Sequence, residues 1–178
     1  MSRNGPSPFA RAVAEVLAPK LEVTSVLDHG CGRGADVRFY RDCGLDAEGW
    51  DPHPGFGWQE EPQRQFDLAT SVFVLNVLPN PWERIKALQH VARFVRPGGW
   101  LLVVTRSPQD IDLRAETASW QSHHDGYWSS EGKGTFQRGI STEEITALGG
   151  LAGFVVTPEQ QLLSPVPAAC QALLANLA

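Results

Sequence analysis

Between Ser7 and Leu17 apolar residues recur at Phe9, Val13, Val16 and Leu17, the spacing of one helical face, and Pro19 is expected to end that helix. Ser25–Asp28 is a short apolar run stopped by glycines, the pattern of a buried parallel strand. Val37, Phe39 and Tyr40 predict a helix over Ala35–Cys43, closed by Gly44, and Ala47–Asp51 reads as a second strand. Residues 53–65 are rich in Gly, Pro, Glu and Gln and predict a loop. Phe66–Leu78 reads as a third strand with an apolar tail. Asn80 then caps a helix that begins at Pro81 and runs to Val95. Pro97-Gly98-Gly99 predicts a turn before a fourth strand, Trp100–Thr105. Strands alternating with helical patterns imply a parallel sheet with right-handed crossovers.

Beyond Thr105 the pattern weakens. Ser107–Trp120 is expected to be helical, and His123–Ile140 is polar and aromatic with four glycines. Ser141, with Glu144 three positions on, is a capping-box start for a helix to Leu148. Gly153–Glu159 reads as a late strand and Pro167–Leu177 as a closing helix. No repeat or boundary divides the chain, so residues 1–178 are expected to form one domain.

Composition narrows the function classes. The chain has 178 residues, 42% of them apolar, and a net charge of −5; the mean hydropathy is −0.21 and the pI near 5.5. Acidic balance disfavours a dedicated nucleic-acid binder. Arg84, Lys86, Arg93, Arg96 and Arg106 face a single acid, Glu83, and read as a solvated helical face. Cys31, Cys43 and Cys170 are odd in number and far apart, which fits a reducing, cytoplasmic setting, and without a CxxC pair no metal site is expected. The first residues lack the apolar core of a signal peptide, and no apolar run approaches membrane-span length.

The chemistry concentrates in VLDHGCGRG. Gly30, Gly32 and Gly34 follow a buried strand, where glycine permits positive φ and close ligand approach. A dinucleotide reader would use GxGxxG. Here the spacing is GxGxG, and Asp28 stands two residues before the first glycine, where it would repel a pyrophosphate and suit a cationic ligand. Asp51, at the end of the next strand, is placed to accept ribose hydroxyls. A nicotinamide dehydrogenase is disfavoured on these grounds.

Asp28, Gly30, Gly32 and Gly34, with Asp51, Phe66-Asp67-Leu68 and Arg96-Pro97-Gly98-Gly99, resemble the class I S-adenosylmethionine-dependent methyltransferases over residues 20–106. The resemblance implies an α/β, Rossmann-like class I methyltransferase sheet with helices on both faces. It implies S-adenosylmethionine as cofactor, with Asp28, Gly30, Cys31 and Gly32 at its methionine part and Asp51 at its ribose. Residues 20–106 would then be the cofactor-binding core, and residues 107–140 a substrate lid. Four further segments, VLDHGCGRGADV, GWDPH, FVLNVLPNPWER and GTFQRGIS, resemble the methyltransferases associated with DNA phosphorothioation gene clusters, in order over residues 26–145. Members of that group are commonly longer, so partner and substrate stay open.

One departure stands out. Only 14 residues, Pro52 to Gln65, separate the second and third strands, where the family fits a helix and a strand. The sheet is therefore expected to be shortened after its second strand. Adenine is expected against Pro52, His53, Phe56 or Trp58, and against Phe73. A second copy of the chain completing that site, as a homodimer, is an open alternative.

Candidate catalytic residues are His123 and His124, beside Asp125, because an imidazole is a usable base near neutral pH. Asn76, after the third strand, would hold an acceptor or cap a turn. Trp120, Tyr127, Trp128 and Phe136 would wall an aromatic pocket, with Gln137, Thr105, Arg106 and Ser107 at the same cleft. The expected activity is methyl transfer to nitrogen or oxygen of a small-molecule acceptor. The alternatives are a DNA- or RNA-modifying methyltransferase and a non-catalytic subunit that only binds the cofactor.

Overall fold

The computed structural model of the protein describes residues 5–129 and 134–178; residues 1–4, and residues 130–133 inside the predicted lid, lie outside it. The first helical stretch comprises α1 (Pro8–Ala12), a π-helical turn (Val13–Leu17) and α2 (Ala18–Leu21). It runs through Pro19 rather than ending there. Proline lacks the N–H of a regular helix, and the ladder widens just before it, Ala18 donating to the Val13 carbonyl. The helix ends at Glu22, in the left-handed conformation with φ 55°.

There follow β1 (Ser25–His29), α3 (Ala35–Asp42), β2 (Asp46–Trp50), β3 (Phe66–Val72), a 3₁₀ turn (Leu75–Val77), α4 (Pro81–Ala92), β4 (Val95–Arg106) and α5 (Pro108–Thr117). The Pro97-Gly98-Gly99 turn is absorbed into β4, where residues 96–99 bulge out between the pairings Phe66–Val95 and Leu68–Trp100. Three short strands come next, β5 (Gln121–His123), β6 (Gly126–Trp128) and β7 (Phe136–Gln137). The chain closes with α6 (Thr142–Leu151), β8 (Phe154–Val156), a 3₁₀ turn (Pro158–Leu163) and β9 (Cys170–Leu177).

The central sheet has the order β2-β1-β3-β4-β9-β8, and β5-β6-β7 form a separate antiparallel sheet. β1 pairs parallel with β2 and β3, β3 parallel with β4, and β9 antiparallel with β4 and β8. The closing segment expected as a helix is thus a strand. Its Ala- and Leu-rich composition favours helix locally, but its alternate residues bury on opposite faces. Ala172 and Leu174 join the core that holds α1, α2 and α3, while Leu173 and Ala175 join the core that holds α4 and α6. Val26 against Leu27, and Leu102 against Leu101 and Val103, divide in the same way. Helices therefore cover both faces, and the active edge is the carboxyl end of β1–β4.

Between Trp50 and Phe66 there is no helix or strand, as the spacing predicted. A groove of about 760 Å³ runs along the outer edge of β2, lined by Arg41, Glu48, Gly49, Trp58 and residues 59–64. On one face of that edge a stack of rings does the covering. His29 lies 4.7 Å from Trp50, Trp50 4.4 Å from His90, and His90 5.1 Å edge-on to Phe94. A hydrogen-bonded chain runs through the stack, His29 Nε2 to His90 Nδ1 at 2.9 Å and His90 Nε2 to Glu61 Oε1 at 2.9 Å. Among the described residues, no helix is long and apolar enough to cross a membrane.

Candidate cofactor and acceptor site

The glycine loop leaves β1 between two carboxylates. Asp28 is buried at the end of β1 and accepts from Thr70 Oγ1 of β3 at 2.9 Å. Asp51, also buried, binds the loop directly: Gly32 N donates to its Oδ2 at 2.8 Å and His53 N to its Oδ1 at 2.9 Å. Gly30 and Cys31 both donate their backbone N–H to the Trp50 carbonyl, at 2.7 and 3.1 Å. The loop is therefore clamped to the end of β2, and its negative charges face one place.

The three glycines have different reasons. A side chain on Gly30 (φ 81°) would reach within 2.3 Å of Val74, and one on Gly34 (φ 73°) within 2.5 Å of the Trp58 ring. These two are fixed by protein packing. Gly32 (φ 55°) has nothing within 4 Å of a Cβ position, so its bare side is open to a ligand. Trp58, one of the residues expected near adenine, packs over Gly34 and Gly49 and under Arg41. The Cys31 thiol is pushed well above the ordinary thiol range, by burial first and then by Asp28 and Asp51, and is no nucleophile. Pro52 is exposed at the start of the loop after β2. Phe73 follows β3 directly, at φ 61°, with Arg106 4.9 Å over its ring and Phe9 edge-on at 6.1 Å.

On the acceptor side the structure joins Asn76 to Gln137. Asn76 is 2% exposed; its Nδ2 donates to Gln137 Oε1 at 3.3 Å, and its Oδ1 has no hydrogen-bond partner among the described residues. Arg138 N donates to the Asn76 carbonyl at 2.8 Å, which ties β7 to the 3₁₀ turn. His123 stands on β5, its ring 5.4 Å from Trp128 and 6.4 Å from Phe136. His124 occupies the exposed tip of the β5–β6 hairpin at φ 49°, and its ring meets only that of His123 among the described ring contacts. Tyr127 turns to Asp112 of α5, at 3.1 Å, and Trp120 lines a shallow groove with Leu113, Arg114 and Thr117. The aromatic wall is thus Trp128 and Phe136, with His123. Thr105 Oγ1 donates to the Ile140 carbonyl and Ser107 caps α5.

Sequence reasoning missed what holds this small sheet in place. Arg84 was expected on a solvated face, but it is buried at 1% exposure in the first turn of α4. It donates to the Leu78 carbonyl and makes a bidentate pair with Asp125 at 2.6 and 3.0 Å. Arg138 bridges from Asp125, at 2.9 Å, to Glu144, at 2.6 and 2.8 Å. The Arg84 hydrogen bond holds the Asp125 carboxyl below the ordinary carboxylate range. The remaining arginines of the run are also paired, Arg93 with Glu61, Arg96 with Asp67 and Arg106 with Asp110. Arg106 and Asp110 are four positions apart, but no local pattern marks the long-range partners of Arg84, Arg93, Arg96 and Arg138.

Residues 1–159 match a family described as a methyltransferase domain. The chain belongs to that methyltransferase family. A search of the curated proteins returned no match. Among solved structures, the chain is similar to an S-adenosylmethionine-dependent methyltransferase from Clostridium acetobutylicum (TM-score 0.72, 13% identity, 96% of this chain and 91% of that one). It is also similar to the Burkholderia thailandensis 1,6-didemethyltoxoflavin N1-methyltransferase with bound S-adenosylhomocysteine (TM-score 0.64, 18% identity, 96% and 79%). A third is CalS10, an amino pentose methyltransferase from Micromonospora echinaspora with S-adenosylmethionine bound (TM-score 0.61, 16% identity, 96% and 90%). The protein is an enzyme that uses S-adenosylmethionine, on the Rossmann-like fold described above. The donor set fits this group: two buried carboxylates flank a glycine with an open side, matching an ammonium, a sulfonium and a ribose diol.

Proposed function

We propose that this methyltransferase acts on nitrogen or oxygen of a small-molecule acceptor bound between the carboxyl edge of β3 and the β5-β6-β7 sheet. The observation that carries the reading is Asn76, a buried carboxamide whose Oδ1 lacks a partner among the described residues although its Nδ2 is engaged. Buried acceptors are ordinarily satisfied, so this oxygen suits the N–H or O–H of an acceptor. The Burkholderia N1-methyltransferase and the amino pentose methyltransferase, which share the fold, support a small acceptor. So does the net charge of −5.

S-adenosylmethionine supplies an electrophilic methyl group. Asp28 with Gly30, Cys31 and Gly32 would hold its methionine part, Asp51 its ribose, and Pro52 and Phe73 would flank its base. Asn76 orients the acceptor and Gln137 orients Asn76. His123 takes the acceptor's proton; His124, at the exposed hairpin tip, is the weaker candidate for that role. Trp128 and Phe136 exclude water, which strengthens the electrostatics of transfer. We take residues 20–106 as the cofactor core and 107–140 as the acceptor lid of a single 1–178 domain. Three cysteines without disulfides support a cytoplasmic setting. The four segments shared with the phosphorothioation-associated group support kinship with it.

Calorimetry with S-adenosylmethionine and S-adenosylhomocysteine on the wild type and on Asp51→Ala tests the cofactor site. Tight binding should fall at least tenfold in the variant. Methyl-labelled cofactor offered with small amines, phenols, duplex DNA and RNA then tests the acceptor class. Label in nucleic acid would refute the small-molecule reading, as would an Asn76→Leu variant with undiminished transfer.

A further inference from the structure

Charge is spread unevenly along this chain. All but one of its Asp, Glu, Lys and Arg residues lie in residues 1–144; residues 145–178 hold only Glu159. Those residues build one end of the central sheet: most of α6, then β8 and β9, with β8 outermost. Large apolar side chains stand out on the same end. Leu151, at the end of α6, is 63% exposed, Val155 57% and Val156 40%. Exposed apolar groups gathered where charge is missing mark a contact surface.

The backbone of β8 fits that surface. In an antiparallel ladder, alternate residues turn their N–H and C=O toward the same neighbour. Ala178 N donates to the Gly153 carbonyl at 3.2 Å, so Gly153 and Val155 face β9. Phe154 and Val156 therefore turn their backbone groups outward. Other stretches of sheet edge are answered by polar side chains. Along β2, Arg41 takes the Ala47 carbonyl, and Arg64 pairs with Asp46 and Glu48. On β9 beyond the reach of β8, the Gln160 carboxamide donates to the Ala172 carbonyl at 3.0 Å and accepts from Leu174 N. Edge strands are ordinarily guarded by charge, proline or a covering segment. β8 carries two exposed valines instead.

We infer that the outer edge of β8 pairs antiparallel with β8 of a second copy of this chain, about a two-fold axis at Val155, and joins the two central sheets. With Val155 opposite its counterpart, Phe154 of each copy meets Val156 of the other, and the outward backbone groups satisfy one another. The charge distribution makes a second copy the occupant. Each copy carries a net charge of −5, so two copies repel over most of their surface, but residues 145–158 bring no charge to this contact. A charged residue at the centre of a self-paired strand would oppose its own like charge. The strand is short and the interface small, so the dimer forms in the micromolar range. In the sheet order, β3, β4 and β9 separate β8 from β1 and its glycine loop. Each copy therefore keeps its own cofactor site, and this dimer differs from one in which a second copy completes that site.

The test is sedimentation velocity on the full chain, from micromolar to near-millimolar concentration. The wild type should shift from monomer to dimer across that range. Val155→Lys and Val155→Glu, each alone, should remain monomeric with unchanged circular dichroism spectra. Mixed together, the two variants should recover a one-to-one dimer, because opposite charges then meet at the axis. Leu151→Glu, at a second exposed position, should weaken the wild-type dimer about tenfold. S-adenosylhomocysteine affinity, read by calorimetry, should be the same in the wild type and Val155→Lys. A wild type that stays monomeric throughout would overturn the inference. So would a dimer that survives Val155→Lys, or a mixture of the two variants that fails to associate. Cofactor affinity lost together with the dimer would place the contact at the cofactor site and overturn it as well.

Discussion

Replacing His29 by phenylalanine probes how the shortened sheet is covered. In the native protein the His29 ring is buried against Trp50, and its pKa is pushed down from 6.5 to about 3, by burial first and by the neighbouring His90 second. The fold therefore accepts the neutral ring. In the unfolded chain the imidazole regains its ordinary pKa. Between pH 6.5 and about 3 the unfolded state holds a proton that the native state lacks, so stability falls as the pH falls through that window. Above pH 6.5 nothing is lost. At pH 5 the loss from this one group comes to about 2 kcal/mol, at 1.36 kcal/mol for each of roughly 1.5 pH units. For a chain of this size that is a drop in Tm of roughly 4–8 °C. Phenylalanine keeps a ring beside Trp50 and abolishes the titration. It will lower stability near neutral pH, because His90 Nδ1 loses its hydrogen-bond donor. The informative quantity is the change with pH. In urea unfolding at about pH 7 and about pH 5, the wild type should lose about 2 kcal/mol more than the variant. Equal losses in the two proteins would refute the buried neutral histidine.

Other perturbations separate packing from ligand contact. Gly30→Ala puts a methyl against Val74 at positive φ and should destabilise by about 2 kcal/mol in chemical denaturation. Gly32→Ala meets open space, so its stability cost should stay near 1 kcal/mol while S-adenosylhomocysteine affinity falls at least tenfold by calorimetry. Arg84→Ala leaves Asp125 to Arg138 and frees the Leu78 and Pro79 carbonyls; unfolding should show a loss of roughly 2 kcal/mol, and hydrogen exchange should rise over residues 121–128. Iodoacetamide near pH 8 should label the exposed Cys43 and spare Cys31, whose thiol burial and two aspartates keep protonated; rapid labelling of Cys31 by mass spectrometry would contradict that environment.

The parts of the fold legible in the sequence are those fixed by neighbouring residues. The glycine loop, the Asn80 and Ser141 caps and the strand from Phe66 each carry a local signal, and each lies where that signal put it. The parts that were not legible depend on distant partners. Residues 170–177 read as helix because alanine and leucine favour it locally, yet the open edge of β4 recruits them as β9. Arg84 read as solvated because no nearby residue reveals that Asp125, 41 positions on, will meet it. At the site, Asp28, Asp51 and the glycines converge as their spacing implied. His123 and His124 keep their rings in contact, but a two-residue hairpin turn places one on the strand beside Trp128 and the other at the exposed tip.

The missing crossover explains why the segment after β2 is so heavily engaged. A parallel sheet needs both faces covered, and an exposed edge strand invites unwanted pairing. Without a helix and strand to follow it, β2 must be served by 14 residues of loop. The loop and its neighbours meet both needs with side chains. Arg64 pairs with Asp46 and Glu48 along the outer edge, and Arg41 of α3 takes the Ala47 carbonyl there. Trp58 seals the side over Gly34 and Gly49, while Glu61 anchors the His90–His29 chain on the face where α4 packs. The same 14 residues carry Pro52, His53 and Phe56, the surface against which the base would lie. On the proposed placement, sheet coverage and cofactor binding share one segment. A change at Trp58 or Glu61 should alter cofactor affinity without touching the ligand, because either residue sets where the loop stands.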